Sequence, residues 1–185
     1  KIRVDNENKF LWLTVPVITK GRFTQKISEV EIDYSTNWTD KYLKTIEHIY
    51  NKSTYFHVYF ELLSNIYFKR HIYLVDLNID IIQFMKESFD LNTKLLRASA
   101  TSSEGRSSNL ILNILLSINA TYYFSGKHGG LDEELLKASN IKIILQQFEH
   151  PRYNQLTSDF LSGMSFVDLL FNYGPESLNT IYNID

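Results

Sequence analysis

Apolar positions recur along this chain with the periods of strands first, helices next, and then both in alternation. Phe10-Leu11-Trp12-Leu13-Thr14-Val15-Pro16-Val17-Ile18 is dense in aromatic and β-branched side chains and predicts a strand. Pro16 has no N–H to donate, so that strand lies at an edge or ends there. Lys26-Ile27-Ser28-Glu29-Val30-Glu31-Ile32-Asp33 alternates polar and apolar, the period of a strand with one wet face. Lys20-Gly21-Arg22 supplies a turn between them, so residues 1–36 are expected to hold an N-terminal β-hairpin. Three helical stripes follow over residues 37–90. Trp38, Tyr42, Ile46, Ile49 and Tyr50 come after Asn37, an N-cap by type. Phe56, Phe60, Leu63, Ile66 and Tyr67 form the second stripe, and Leu74, Leu77, Ile81, Ile82, Met85 and Phe89 the third.

Residues 91–185 change pattern. Short apolar runs at Thr93–Ala98, Thr121–Phe124 and Ile141–Leu145 read as strands. Helices are expected from about Ser107 to Ile118, from Asp132 to Ala138, and in a last region carrying Phe166, Leu169, Leu170 and Phe171. A β-α-β-α-β-α order implies parallel strands joined by right-handed crossovers. The expected class is therefore α/β: a parallel-stranded sheet with flanking helices, an N-terminal hairpin and a helical middle section. All three sections are read as parts of one domain, residues 1–185.

Composition narrows the chemistry. A chain of 185 residues with 44% hydrophobic and 22% charged residues can bury a core and is neither disordered nor a coiled coil. Lysine and arginine number 19 against 21 acidic residues, a net charge of −2, so no global field draws the chain to nucleic acid or anionic lipid. The lack of cysteine removes thiol catalysis, disulfide scaffolds and Cys-ligated metals, and it fits a reducing, cytoplasmic setting. No apolar run approaches the roughly 18 residues of a membrane span, and Lys1-Ile2-Arg3 opens no signal peptide. A start at Lys rather than Met leads us to expect a fragment.

In an open parallel sheet, ligands bind beyond the carboxyl ends of the strands. Three polar loops are expected there: residues 99–108, 125–130 and 150–155, holding Arg106, Lys127, His128, His150 and Arg152 between them. The second, Ser125-Gly126-Lys127-His128-Gly129-Gly130, is the sharpest signal. Its glycines allow close backbone approach, the helix beginning near Asp132 offers free N–H groups to an anion, and Lys127 adds a point charge. The first loop offers Ser102, Ser103 and Arg106 ahead of a helix, with Ser107 or Ser108 as its cap. Phosphate and substrate contacts are thus expected from Ser102, Ser103, Arg106, Ser125, Gly126, Lys127, Gly129, Gly130 and Gln155. His128 and His150 are the candidates for proton transfer. Each loop also reads as an ordinary solvated connector, and His150 before Pro151 as a turn residue. Walker A, G-x-G-x-x-G and G-x-S-x-G patterns are absent, the histidines show no zinc spacing, and no cofactor is called for. Asp168-Leu169-Leu170-Phe171-Asn172-Tyr173-Gly174 reads as a buried helix with a glycine stop.

Taken in order, these pieces resemble the WbqC-like proteins over nearly the whole chain. The matching residues are Trp12-Leu13-Thr14-Val15-Pro16-Val17, Gly21, Gln25-Lys26-Ile27, Val30 and Ile32, then Asn37-Trp38, Lys44-Thr45-Ile46, Tyr50 and Tyr55-Phe56. They continue through Leu77-Asn78-Ile79, Thr93-Lys94, Ser102-Ser103, Tyr123-Phe124-Ser125-Gly126 and Leu131-Asp132. The last are His150-Pro151-x-Tyr153-x-Gln155 and Ser165-Phe166-Val167-Asp168-Leu169-Leu170-Phe171-Asn172-x-Gly174. Two departures stand out. Family members carry further strands ahead of the position of Lys1, expected at the middle of the sheet, and a basic residue early in the helix after Gly105 where this chain has Asn109 or Leu110. The resemblance implies a part in making surface polysaccharide, O-antigen included. With the three cationic loops it points to a transferase modifying a nucleotide-activated amino sugar. The alternative is a non-catalytic glycan-binding or scaffolding partner of sugar-modifying enzymes, favoured by the aromatic surplus.

Overall fold

A computed structural model describes residues 1–4, 9–126, 132–157 and 159–182. The order of elements is β1 (Ile2–Arg3), β2 (Phe10–Leu11), α1 (Trp38–Tyr50), α2 (Phe56–Phe68), α3 (Leu74–Ser88), α4 (Ser107–Ser117), β3 (Tyr122–Ser125), α5 (Glu133–Ala138), β4 (Lys142–Leu145), α6 (Phe166–Tyr173) and α7 (Ser177–Tyr182). The class is α/β, and the strands form two separate two-stranded sheets. Contacts group the chain into two compact units: Lys1–Asn92 with His150–Asp185, and Thr93–Glu149.

The first unit is mainly helical. The three expected stripes form α1, α2 and α3, and α6 joins their core. Trp38, Tyr42, Leu43, Ile46 and Tyr50 are buried from α1, Phe56, Leu63, Ile66 and Tyr67 from α2, Leu77 and Phe84 from α3, and Val167, Leu170 and Phe171 from α6. The Phe171 ring meets Tyr50 at 5.3 Å and Phe56 at 5.4 Å between centroids. Removing so enclosed an aromatic costs about 3–5 kcal/mol. Asn37 does sit at the start of α1, but its amide donates to Asp40 Oδ2 at 2.6 Å instead of capping the backbone.

Strand content near the N-terminus is shorter than the composition suggests. β1 pairs antiparallel with β2, Ile2 opposite Leu11, and β2 ends well short of Ile18. The expected pairing of Trp12–Ile18 with Ile27–Asp33 is antiparallel but narrows to the bridge Val17–Ile32. Ile18 N donates to Glu31 O and Asp33 N to Pro16 O, both at 2.9 Å, while Pro16 itself donates nothing. Ile27–Glu29, expected to extend, turns as a 3-10 helix, because the Glu29 carboxylate folds back to accept from Lys26 N at 3.0 Å. Glu31 also bridges Tyr73, a partner the alternation did not reveal.

The second unit holds a parallel pair, β3 and β4, with Tyr122 opposite Lys142 and Ser125 opposite Leu145. Leu112, Leu115, Leu136 and Ile141 form its core with α4 and α5. Asp132 caps α5 by accepting from Leu135 N at 3.1 Å. The strand expected at Thr93–Ala98 does not form. Leu95 and Leu96 stay half exposed, no partner strand exists for them among the described residues, and a 3-10 turn follows at Ala98–Ala100. Without burial or a ladder, a short apolar run does not fix a strand. Arg106 rather than a serine stands at the cap position of α4. No helix among the described residues is long and apolar enough to cross a membrane.

Candidate functional site

The helix α6 reads Phe-Val-Asp-Leu-Leu-Phe-Asn-Tyr, so its inward stripe carries one carboxylate among apolar side chains. Asp168 is only 1% exposed. A buried carboxylate is tolerated only when donors surround it. Oδ1 accepts from the Tyr50 hydroxyl at 2.7 Å, and Oδ2 accepts from the Tyr153 hydroxyl at 2.7 Å and from Gln155 Nε2 at 3.1 Å.

Gln155 extends the network outward. Its Nε2 also donates to Leu161 O at 2.9 Å, and its Oε1 accepts from Leu161 N at 2.9 Å and from Arg3 Nη1 at 2.6 Å. Arg3, 3% exposed, donates from Nη1 to the Asp159 carbonyl as well, and its backbone N–H donates to the Tyr50 hydroxyl at 3.4 Å. Burial first, and then the Asp168 charge, push the Tyr50 and Tyr153 hydroxyls far above the ordinary tyrosine value. Both remain neutral donors at physiological pH.

Neighbouring backbone features hold this arrangement. Ser165 N donates to Lys1 O at 2.8 Å at the start of α6, and Asn172 Nδ2 donates to Asp168 O at 2.7 Å. Gly174 ends α6 at φ +53°, where a Cβ would fall 2.5 Å from the Tyr55 ring. Only glycine fits both conditions.

Two cavities adjoin the network. One, of about 340 Å³, is walled by Arg3, His48, Tyr50, Leu156, Thr157 and Asp168. The other, of about 420 Å³, has Arg152, Asn154, Gln155, Leu156, Thr157 and Phe160 on its walls. Leu156 and Thr157 border both. The Arg152 guanidinium lies over the Phe160 ring at 5.6 Å, which orients it without neutralising its charge.

Among the residues expected from sequence, Gln155 is a member of the Asp168 network. His150 is half-buried beside it: its ring stacks on Tyr153 at 6.1 Å, meets Phe160 at 5.7 Å, and brings Nδ1 to 3.0 Å from the Pro151 carbonyl. The other described ones belong to the second unit. Ser102 takes φ +53°, and Ser103 Oγ accepts from Thr101 Oγ1 at 2.8 Å. Arg106 is exposed at the head of α4. Ser125 is buried and donates to Gly126 O at 3.2 Å, and Gly126 faces open space. Ser108 Oγ accepts from Asp132 N at 2.9 Å, so the starts of α4 and α5 meet. Lys127, His128, Gly129 and Gly130 lie outside the described residues.

Sequence reasoning missed Arg3, Tyr50 and Asp168 as members of a site. The available signal was a single acid inside the apolar run 166–171, where a carboxylate must find partners.

The profile of the WbqC-like protein family matches residues 1–180. A Mycobacterium tuberculosis (strain ATCC 25618 / H37Rv) protein, "Uncharacterized protein Rv1507c", is 29% identical over 179 residues, covering 95% of this chain and 77% of its own. No solved structure matches the chain. The matched span takes in the whole Asp168 network, and the chain belongs to the WbqC-like protein family.

Proposed function

We propose that this chain is a cytoplasmic transferase of surface polysaccharide (O-antigen) biosynthesis that modifies a nucleotide-activated amino sugar. One observation carries the reading: two cavities share the wall Leu156–Thr157, a polar one with Arg152 and Asn154 among its lining residues and a mostly apolar one with the buried Asp168 in its wall. A sugar joined to a diphosphate needs both kinds of surroundings, cationic donors for the phosphates and buried acceptors for sugar N–H and O–H groups. In this reading Gln155 holds the network that shapes the sugar side, and His150 serves proton transfer there. Ser102, Ser103, Arg106, Ser125 and Gly126, with Lys127, His128, Gly129 and Gly130, form the other proposed phosphate and proton-transfer loops.

Calorimetry of the full chain against UDP-glucose, UDP-glucosamine and UDP-N-acetylglucosamine tests this reading. Binding of the amino sugar, weakened by Arg152→Ala or by Arg106→Ala, supports it and tells which loops hold the phosphates. Failure of all three to bind overturns it.

The exposed Phe10 and Trp12 favour a second reading, a glycan-binding module. They stand 45% and 67% exposed, with centroids 6.2 Å apart edge to face. Aromatic faces of this kind stack on sugars. Quenching of Trp12 fluorescence by free oligosaccharide, lost in Trp12→Ala, would favour the module over the enzyme.

A further inference from the structure

We infer that His48 contacts the sugar end of the ligand in the cavity floored by Asp168 and hydrogen-bonds a hydroxyl or amine of that sugar. This rests on the nucleotide-sugar reading and adds a residue to it. Four histidines are described, and three of them already meet neighbouring side chains. His71 Nε2 lies 3.0 Å from Asp80 Oδ2, and His57 packs edge-on against Phe56 at 5.3 Å. His150 stacks on Tyr153. His48 differs. It is exposed in the last turn of α1, has no hydrogen-bond or ion-pair partner among the described residues, and lines the 340 Å³ cavity.

Buried polar side chains are built into the wall of this mostly apolar cavity. Arg3, Tyr50 and Asp168 are each 3% exposed or less and are locked to one another through hydrogen bonds. Thr157 on the same wall has a hydroxyl with no partner among the described residues. The charged groups bordering the cavity with His48 are Arg3 from β1 and Asp168 from α6, and the Tyr50 hydroxyl stays neutral. Arg3 and Asp168 are held by protein partners. The exposed His48 imidazole is not held by a protein partner among the described residues. A sugar hydroxyl or amine in the cavity can donate to its free nitrogen or accept from its N–H.

The experiment is an ¹⁵N-resolved histidine spectrum of the full chain at fixed pH, with and without saturating UDP-glucosamine, assigned by single His→Gln variants. UDP-glucosamine is expected to shift the His48 ring resonances and to leave those of His57 in place. It is also expected to lose roughly 10-fold in affinity in His48→Gln, the loss of one hydrogen bond to a chargeable group. His57→Gln is expected to bind normally. Because His48 is exposed, its variant keeps the fold, checked by an unchanged melt. Binding of UDP-glucosamine with the His48 resonances unmoved, or with His48→Gln at full affinity, overturns this inference and leaves the broader reading standing. Failure of UDP-glucosamine, UDP-glucose and UDP-N-acetylglucosamine alike overturns both.

Discussion

Asp168→Asn is the sharpest probe of the buried network, because it changes one atom in shape and nearly everything in hydrogen-bonding sense. The amide oxygen can still accept from Tyr50. Its nitrogen then faces the Tyr153 hydroxyl and Gln155 Nε2, two groups that donated to Oδ2 in the parent. Two bonds to a charged acceptor are lost, each worth about 1.5–3 kcal/mol. The Tyr153 hydroxyl recovers about 1 kcal/mol by rotating to accept, whereas Gln155 Nε2 cannot accept. The net expected loss is about 2–5 kcal/mol, a large part of the 5–15 kcal/mol that holds a typical domain. Both tryptophans, Trp12 and Trp38, lie in the unit with Asp168, so urea denaturation followed by tryptophan fluorescence reads this unit. Tyr153→Phe and the double variant complete a cycle with an expected coupling of about 1–3 kcal/mol. A cost of Asp168→Asn below about 0.5 kcal/mol, or zero coupling to Tyr153, would refute the reasoning.

Other substitutions and conditions give separate checks. Gly174→Ala should cost about 2–5 kcal/mol in the same denaturation assay, from the positive φ and from a Cβ driven into the Tyr55 ring. Gly126→Ala, which meets nothing within 4 Å, should change the melting midpoint by no more than about 1 °C. Burial pushes the Tyr67 hydroxyl up to about 12 from 10.0, and Tyr42, Tyr50 and Tyr153 higher still. A raised tyrosine value means the folded state keeps its proton, so this stability is full below pH 10 and drains away as pH rises through about 12. For Tyr67 the loss is on the order of 3 kcal/mol once the pH has passed that value. Tyrosinate absorbance should therefore show a late phase that coincides with loss of helical dichroism, and early titration of all tyrosines in a folded chain would contradict the burial.

What could be read in the sequence was periodicity backed by burial. The helical stripes at Trp38–Tyr50, Phe56–Tyr67 and Leu74–Phe89 became α1 to α3 because each supplies an apolar face to one core. Short apolar runs were less informative. Tyr122–Ser125, mostly aromatic, found a parallel partner, whereas Thr93–Ala98, with Lys94 and Arg97 around two leucines, found none and stayed exposed. The site was legible only in pieces. Tyr153, Gln155 and Asp168 all stood in recognisable segments, but their meeting depends on tertiary packing, with Arg3 separated from Gln155 by 152 positions. No local period encodes such a contact, and an aspartate in an apolar helix signals that partners exist without naming them.

The network also provides a way to locate the ligand. It ties β1, the end of α1, the segment after His150 and α6 into one hydrogen-bonded set, so the shape of the adjoining cavity depends on all four. A ligand that binds there stabilises the folded state of the first unit by mass action, about 2.7 kcal/mol at roughly 100 times its dissociation constant. One that binds the loops around Arg106 and Gly126 stabilises the second unit, which contains no tryptophan. Hydrogen exchange read by mass spectrometry separates the two outcomes. With saturating UDP-glucosamine, slowed exchange is expected in the last turn of α1 and in α6, whose amides flank Tyr50 and Asp168. If protection instead appears only in α4 and α5, the sugar is held by the loops that drew attention in the sequence. The Asp168 cavity would then be a structural feature of the first unit and no more.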